Sequence, residues 1–316
     1  MKILVTGSSG FIGFHLVKKL LNAGHKVVGV DNNNHYYNPK LKLDRLSLLD
    51  SKNFSFYECD INHISITEKN FDLAINFAAQ AGVRVSKEKE YLYQHSNVDG
   101  FVSFCNFCKK QNINKIIYAS SSSVYADMND DKFCESSTLL NPKSIYGQSK
   151  LCNEKHASKL IESCDISIVG LRFFSVYGPY GRPDMAYYAF TKAIKEKDII
   201  NLHNNGNMYR DMTFIDDIVQ GISGAIEFVL KQENMNKHEI FNLGNDAPIK
   251  ISQMLHKLEQ ILGQKALIKF SETENEALKT HADITKAKNL LGYEPKICFD
   301  EGIKKFLDWH KHYENL

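Results

Sequence analysis

Gly7-Ser8-Ser9-Gly10-Phe11-Ile12-Gly13 decides how the first half of this chain reads. It follows a short apolar run at 3–6. It opens a stretch with apolar residues at Ile12, Leu16, Val17, Leu20 and Leu21, which stops at Gly24. Apolar residues three and four apart make one face of a helix, and a glycine after the last of them supplies a C-cap. Strand, glycine turn and helix form the context in which this glycine spacing acquires meaning. The glycines let the backbone turn tightly and approach a pyrophosphate, and the helix start offers free N–H groups and a positive dipole end. The same glycines could make a ligand-free tight turn, but strand before and helix after favour a dinucleotide.

Outward from that loop, strand-like runs recur at 3–6, 26–30, 54–59, 73–77, 115–120 and 166–173. They are short, mostly apolar on both faces and bounded by turn residues, as buried parallel strands are. Helical patterns lie between them at 11–23, 88–110 and 144–163. This alternation implies right-handed crossovers and an α/β fold with a Rossmann-type doubly wound parallel sheet. After Phe173 the rhythm changes. Gly178-Pro179-Tyr180-Gly181-Arg182-Pro183 reads as a loop, and helices follow at 185–196, 217–231, 252–262 and 300–313. The expected division is a dinucleotide domain over 1–173, with part of 211–244 packing back onto it. A smaller C-terminal substrate-binding lobe then occupies mainly 174–316, at the carboxyl ends of the strands, where open α/β sheets bind ligands.

The bulk numbers are those of an ordinary globular protein. The chain has 316 residues, 43% hydrophobic and 24% charged, with a formal net charge of +2. So small a surplus argues against nucleic acid or an anionic membrane as partner. No apolar run is long enough to span a bilayer, and residues 2–6 are too short for a signal-peptide core. The seven cysteines lack regular spacing. Cys105 and Cys108 have no second pair to complete a zinc site, so they read as buried helix cysteines, and no metal is expected. Free thiols suit a cytoplasmic setting.

Asp31 ends the second strand-like run, followed by Asn32. A carboxylate there can accept both ribose hydroxyls of an adenosine and would repel a 2′-phosphate, which favours NAD over NADP. Cys59-Asp60-Ile61 ends the third run. There Asp60 can flank the adenine or simply cap a helix. Tyr146-Gly147-Gln148-Ser149-Lys150 puts Tyr146 and Lys150 four apart on one helical face. A phenol titrating near ~10 is a poor base, and an ammonium plus a positive nicotinamide would favour the phenolate. The hydroxyl run 120–123 precedes it, so Ser121 or Ser123 can share the proton. A lone Tyr-x-x-x-Lys is often a surface pair. Beside a dinucleotide loop and a serine run it reads as catalytic.

These residues resemble the extended short-chain dehydrogenase/reductase family, with its nucleotide-sugar epimerases and dehydratases. Further matching stretches are Phe77-Ala78-Ala79-Gln80-Ala81-Gly82-Val83-Arg84, Asn97-Val98-Asp99-Gly100, Arg172 to Pro179, Arg210 to Asp217 and Phe241-Asn242-Leu243-Gly244. Gly181-Arg182-Pro183-Asp184-Met185-Ala186, together with 81–84, is similar to UDP-glucuronate 4-epimerases in particular. The resemblance implies tightly held, recycled NAD, contacted by Gly7, Gly10, Phe11, Ile12, Gly13, Asp31, Asn32, Asp60, Ile61, Phe77, Ala78, Ala79, Asn97, Tyr146 and Lys150. It implies that Tyr146 removes the O4 proton of a UDP-uronic acid while C4 gives hydride to NAD. It also implies a homodimer through the helices 88–110 and 144–163.

For the substrate, the resemblance implies Arg84, Ser123, Ser175, Arg182, Arg210 and Glu276. Arg210 would meet the nucleotide's phosphates, unless it merely pairs with Asp211. Arg182 can grip the C6 carboxylate through two parallel hydrogen bonds, or be taken up by Asp184. Ala126 replaces the family's usual glycine, and Asn275-Glu276 its usual Gly-Asp, which leaves the nucleotide open. A decarboxylase would carry glutamate where this chain has Ser123. A 5-epimerase would want a further acid or base. A neutral-sugar 4-epimerase fits if Arg182 points away, and a non-catalytic NAD sensor would usually lack the tyrosine or lysine.

Overall fold

In the computed structural model, which describes residues 1–83, 87–125, 131–138, 140–232, 236–272 and 277–313, the chain opens as expected. The first elements are β1 (Lys2–Thr6), α1 (Phe11–Asn22), β2 (Lys26–Asp31), α2 (Lys40–Ser47), β3 (Phe54–Glu58) and β4 (Leu73–Asn76). A composite helical stretch follows: a 3-10 turn Lys87–Lys89, α3 (Tyr91–Tyr93), a π-helix Gln94–Asp99 and α4 (Gly100–Lys110). Then come β5 (Lys115–Ser121), α5 (Ile145–Ser163) and β6 (Ser167–Phe173). The second half holds β7 (Ser175–Tyr177), α6 (Ala186–Glu196), β8 (Ile199–His203), β9 (Tyr209–Phe214), α7 (Ile215–Leu230) and β10 (Lys237–Leu243). It ends with β11 (Pro248–Lys250), α8 (Ile251–Leu262), β12 (Leu267–Ser271), α9 (Thr285–Leu291) and α10 (Phe299–Tyr313).

The main sheet has seven strands in the order β10-β6-β5-β4-β1-β2-β3, with parallel pairing throughout. Its order reverses between β1 and β4, and such switch points open a crevice at the carboxyl ends of the strands. β1, β4 and β6 are buried nearly end to end, as their unbroken apolar runs require. β3 departs from the expectation of strands apolar on both faces. It is an edge strand, half-exposed along its length, because only β2 pairs with it. The seventh strand, β10, comes from the second half of the chain and pairs with β6 from Lys237↔Ser167 to Leu243↔Phe173. The remaining strands make two small sheets, β11-β9-β7 and β12-β8, beyond the carboxyl ends.

The helix expected over 88–110 is interrupted, and Asn97 and Gly100 show why. Asn97 turns inward: its Oδ1 accepts the Gln80 amide (2.7 Å) and its Nδ2 donates to Ser149 Oγ (2.9 Å). Gly100 lies against Ile61, where a Cβ would come within 2.5 Å of the isoleucine methyl. The wider π turn brings both into register, and such turns concentrate near functional sites.

Cys105 and Cys108 lie on α4 inside the apolar layer under the sheet, with Phe101, Phe104 and Ile116. Burial pushes the Cys105 thiol up to about 12 and Cys108 well above its usual range. Thiolate is the reactive form. In the native protein a thiol reagent should therefore label the exposed Cys298, with Cys105 and Cys108 reacting only after denaturation. Mass mapping of the labelled peptides checks this, and rapid native labelling on α4 would contradict the packing.

Candidate active site

A single cleft of about 750 Å³ runs across the carboxyl ends of the main sheet. One end begins at the glycine loop. Gly7 has φ 72 and packs so tightly at the β1–β4 switch that a Cβ would sit 2.5 Å from the Phe77 carbonyl carbon. Only glycine meets both demands. α1 starts at Gly10 with no side-chain cap and no acidic residue in its first turn. Its N-terminal amides are therefore left for a ligand anion. Asp31 closes β2 at the same end. Its carboxylate accepts the amides of Ser9 (3.2 Å) and Asn33 (2.9 Å) while lining the cleft.

Gly7, Gly10, Phe11, Ile12, Gly13, Asp31, Asn32, Ile61, Phe77, Ala78 and Ala79 all line the cleft. Two expected contacts stand apart from its wall. Asp60 caps the 3-10 turn Ile61–His63 through the Asn62 amide (2.9 Å) and accepts from Asn32 (3.3 Å). The capping role open to it in the sequence is the one it fills. Asn97 is buried behind the wall, its amide spent on Gln80 and Ser149. It thereby ties the 78–83 loop to the helix that bears Tyr146.

Tyr146, Lys150, Ser121 and Ser123 meet midway along the cleft. Ser144 caps α5 by accepting the Gly147 amide (3.0 Å). Gly147 lies against the Ser123 carbonyl, which brings the helix onto the serine turn. Ser121 Oγ accepts the Ser123 amide (3.1 Å) and lies beside the Tyr146 hydroxyl. Lys150 is buried and donates one hydrogen bond, to Ala119 O at 2.9 Å. Burial without a carboxylate partner lowers its ammonium to about 8.

The sequence expects the Lys150 ammonium and the nicotinamide to favour the Tyr146 phenolate, and Arg182 and Ser121 pull the same way. Burial raises the Tyr146 phenol, and the opposing pulls come from the Arg182 charge and the Ser121 hydroxyl. The ammonium is turned toward Ala119, 5.9 Å from the centre of the phenol ring.

Arg182, Arg210 and Ser175 also line the cleft. Arg182 grips Asp184 through Nε–Oδ1 (3.0 Å) and NH2–Oδ2 (2.5 Å), so the pairing open to it in the sequence is formed, inside the cleft. Arg210 is not paired with Asp211. It donates to the carbonyls of Tyr209 and Ala277, whereas Asp211, on the opposite face of β9, accepts the amides of Asn245, Asp246 and Ala282. Arg84, Ala126, Asn275 and Glu276 lie outside the described residues.

Sequence reasoning missed three neighbours. Lys42 of α2 lines the cleft near Asp31 and donates to Asn34 O and Oδ1. Arg45, one turn on and fully buried, donates to Ser9 O (2.9 Å) and to Tyr180 O (2.7 Å), bracing the glycine loop against the loop that leads to Arg182. Tyr36 reaches Asp184 (3.0 Å).

The groups present fit a dinucleotide by chemistry: uncapped amides at α1, an acidic acceptor at the end of β2, and a buried ammonium with donors to spare at the opposite side. No described helix is long and apolar enough to cross a membrane.

The model of the NAD dependent epimerase/dehydratase family matches residues 3–244. UDP-glucuronate 4-epimerase 1 of Arabidopsis thaliana is 38% identical over 99% of this chain and 77% of its own length. Protein CapI of Staphylococcus aureus is 37% identical over 99% of both. Among solved structures, the UDP-glucuronic acid 4-epimerase from Bacillus cereus, in complex with UDP-glucuronic acid and NAD, superposes with a TM-score of 0.91. It is 33% identical, covering 99% of this chain and 100% of that one.

Proposed function

The chain belongs to the NAD dependent epimerase/dehydratase family, and from that premise we propose that it inverts C4 of UDP-glucuronate, interconverting it with UDP-galacturonate through a transient 4-keto sugar. The observation that carries this reading is one cleft holding the glycine loop, Tyr146 with Lys150, and Arg182. A uronate epimerase needs those three functions together: hydride acceptor, base and carboxylate holder.

NAD, when bound, takes hydride from C4 and returns it to the other face. Tyr146 Oη takes the O4 proton and gives it back, with the Ser121 hydroxyl beside it to share that proton. Lys150 holds the nicotinamide ribose with the N–H groups that Ala119 leaves unspent. Arg182 and Ser175 hold the sugar's C6 end. A 4-keto uronate is a β-keto acid, prone to lose carbon dioxide, so fixing the carboxylate protects the product as well as selecting the substrate. Arg210 meets the nucleotide phosphates from β9. In this reading residues 1–173 carry the cofactor and 174–316 mainly the nucleotide sugar. Ser123 occupies the position where a decarboxylase would place glutamate, which favours epimerisation. A homodimer through the 87–110 stretch and α5 completes the proposal, supported by the exposed ring of Tyr91 on that stretch. The seven unpaired thiols support a cytoplasmic setting.

Because cofactor is recycled, protein purified without added NAD should convert UDP-glucuronate to UDP-galacturonate, and its denatured supernatant should contain adenine dinucleotide. Chromatography of the sugar nucleotides and of the supernatant checks both. Absence of dinucleotide together with no activation by added NAD would defeat the proposal. A pentose product would convert it to a decarboxylase reading.

A further inference from the structure

Arg182 presents its fork to Asp184, not to open solvent. Both side chains line the cleft, and they are 25% and 29% exposed. A third residue holds this pair in place. The Tyr36 hydroxyl donates to Asp184 Oδ2 at 3.0 Å, and its ring lies 6.0 Å from the guanidinium carbon. The Tyr36 hydroxyl in turn rests on Gly82, which has φ +89 and where any Cβ would strike that oxygen. Tyr93 fixes the Gly82 carbonyl with a 2.6 Å hydrogen bond. The loop at 81–83 is therefore shaped around Tyr36, and Tyr36 around Asp184.

One guanidinium fork can grip one carboxylate through two parallel bonds at a time. A substrate carboxylate reaching Arg182 must displace Asp184. Inverting C4 also requires the keto sugar to show both faces to the same Tyr146. The C6 carboxylate, one carbon beyond C5, swings with the ring. Arg182 cannot keep one bidentate grip through that turn, and a partly buried cation left unpaired meanwhile would raise the barrier.

Resting on the uronate reading above, we propose that Asp184, steered by Tyr36, is the resident counter-ion of Arg182: the substrate carboxylate displaces it, and it retakes the guanidinium while the sugar turns. Asp184 is thereby a positioning residue for Arg182: it keeps the guanidinium paired before binding and during the turn, at a cost in affinity that only a charged sugar meets.

The test measures binding and turnover on the NAD-loaded enzyme. Asp184→Asn keeps the side-chain shape and removes the competing charge. UDP-glucuronate should then bind roughly two- to fivefold more tightly, the scale of losing one partly exposed competing pair. UDP-glucose binding should stay where it is, and kcat for UDP-glucuronate should fall as KM falls. Tyr36→Phe should move both quantities the same way, less far. A merely structural role would weaken binding of both sugars or lower the melting temperature without this opposed split. Unchanged or weaker UDP-glucuronate binding in Asp184→Asn overturns the proposal. If that variant does not fold, the same ratio in Tyr36→Phe decides. Wild-type enzyme in the same assays separates the two claims. UDP-galacturonate formation with an unmoved binding ratio sinks the counter-ion exchange alone, whereas no UDP-galacturonate at all sinks the uronate reading and this proposal with it.

Discussion

Tyr146→Phe should reduce turnover of UDP-glucuronate by on the order of 10²–10⁴-fold, the usual worth of a positioned general base. The fold and the NAD content should be unchanged, because the lost atom is one hydroxyl on the cleft wall. The protein by itself gives that hydroxyl a raised pKa. What offsets burial is the Arg182 charge, the Ser121 hydroxyl and, on binding, the positive nicotinamide. The base is thus fully assembled only in the loaded enzyme. Lys150→Met should be nearly as severe and should also lose NAD, since its remaining donors have no other use in the cleft. Circular dichroism, dinucleotide content and product chromatography on the same preparations separate these effects. More than a small residual activity in Tyr146→Phe would move the base elsewhere.

Much of this was legible in the sequence, because buried parallel strands and glycine turns leave strong local signals. All six strand-like runs became strands of the main sheet. β10 was harder to place, because its partner β6 lies some 70 positions earlier and no local pattern encodes that pairing. α2 was missed for a different reason. Its stretch Lys40–Ser47 is rich in charge and receives no element from sequence alone, yet Lys42 and Arg45 are buried, with their charges satisfied by Asn34 and by the carbonyls of Ser9 and Tyr180. Hydropathy cannot reveal cations satisfied by distant backbone. The π turn at Gln94–Asp99 was equally hidden, since it exists to let Asn97 reach Gln80 and Ser149, both far along the chain. Arg182 was found, but its pairing with Asp184 could be settled only by where Tyr36 and the 81–83 loop lie.

Arg182→Ala bears most directly on substrate choice. It would leave the substrate carboxylate unpaired in a partly buried pocket, beside an Asp184 that had lost its own partner. Truncating one member of such a pair costs ~2–5 kcal/mol, much of it the penalty of the orphaned charge. Two carboxylates facing each other place the effect toward the upper end of that range. The loss applies only to a substrate that carries a charge at C6, so any turnover of UDP-glucose should change far less. The variant should also release some pentose nucleotide, because a loosely held β-keto acid decarboxylates. The measurement is the ratio of activities on UDP-glucuronate and UDP-glucose, before and after the change, with the products separated by chromatography. If the ratio holds, Arg182 does not read the carboxylate. The Asp184 pair would then be structural, and the neutral-sugar epimerase would become the better account of the cleft.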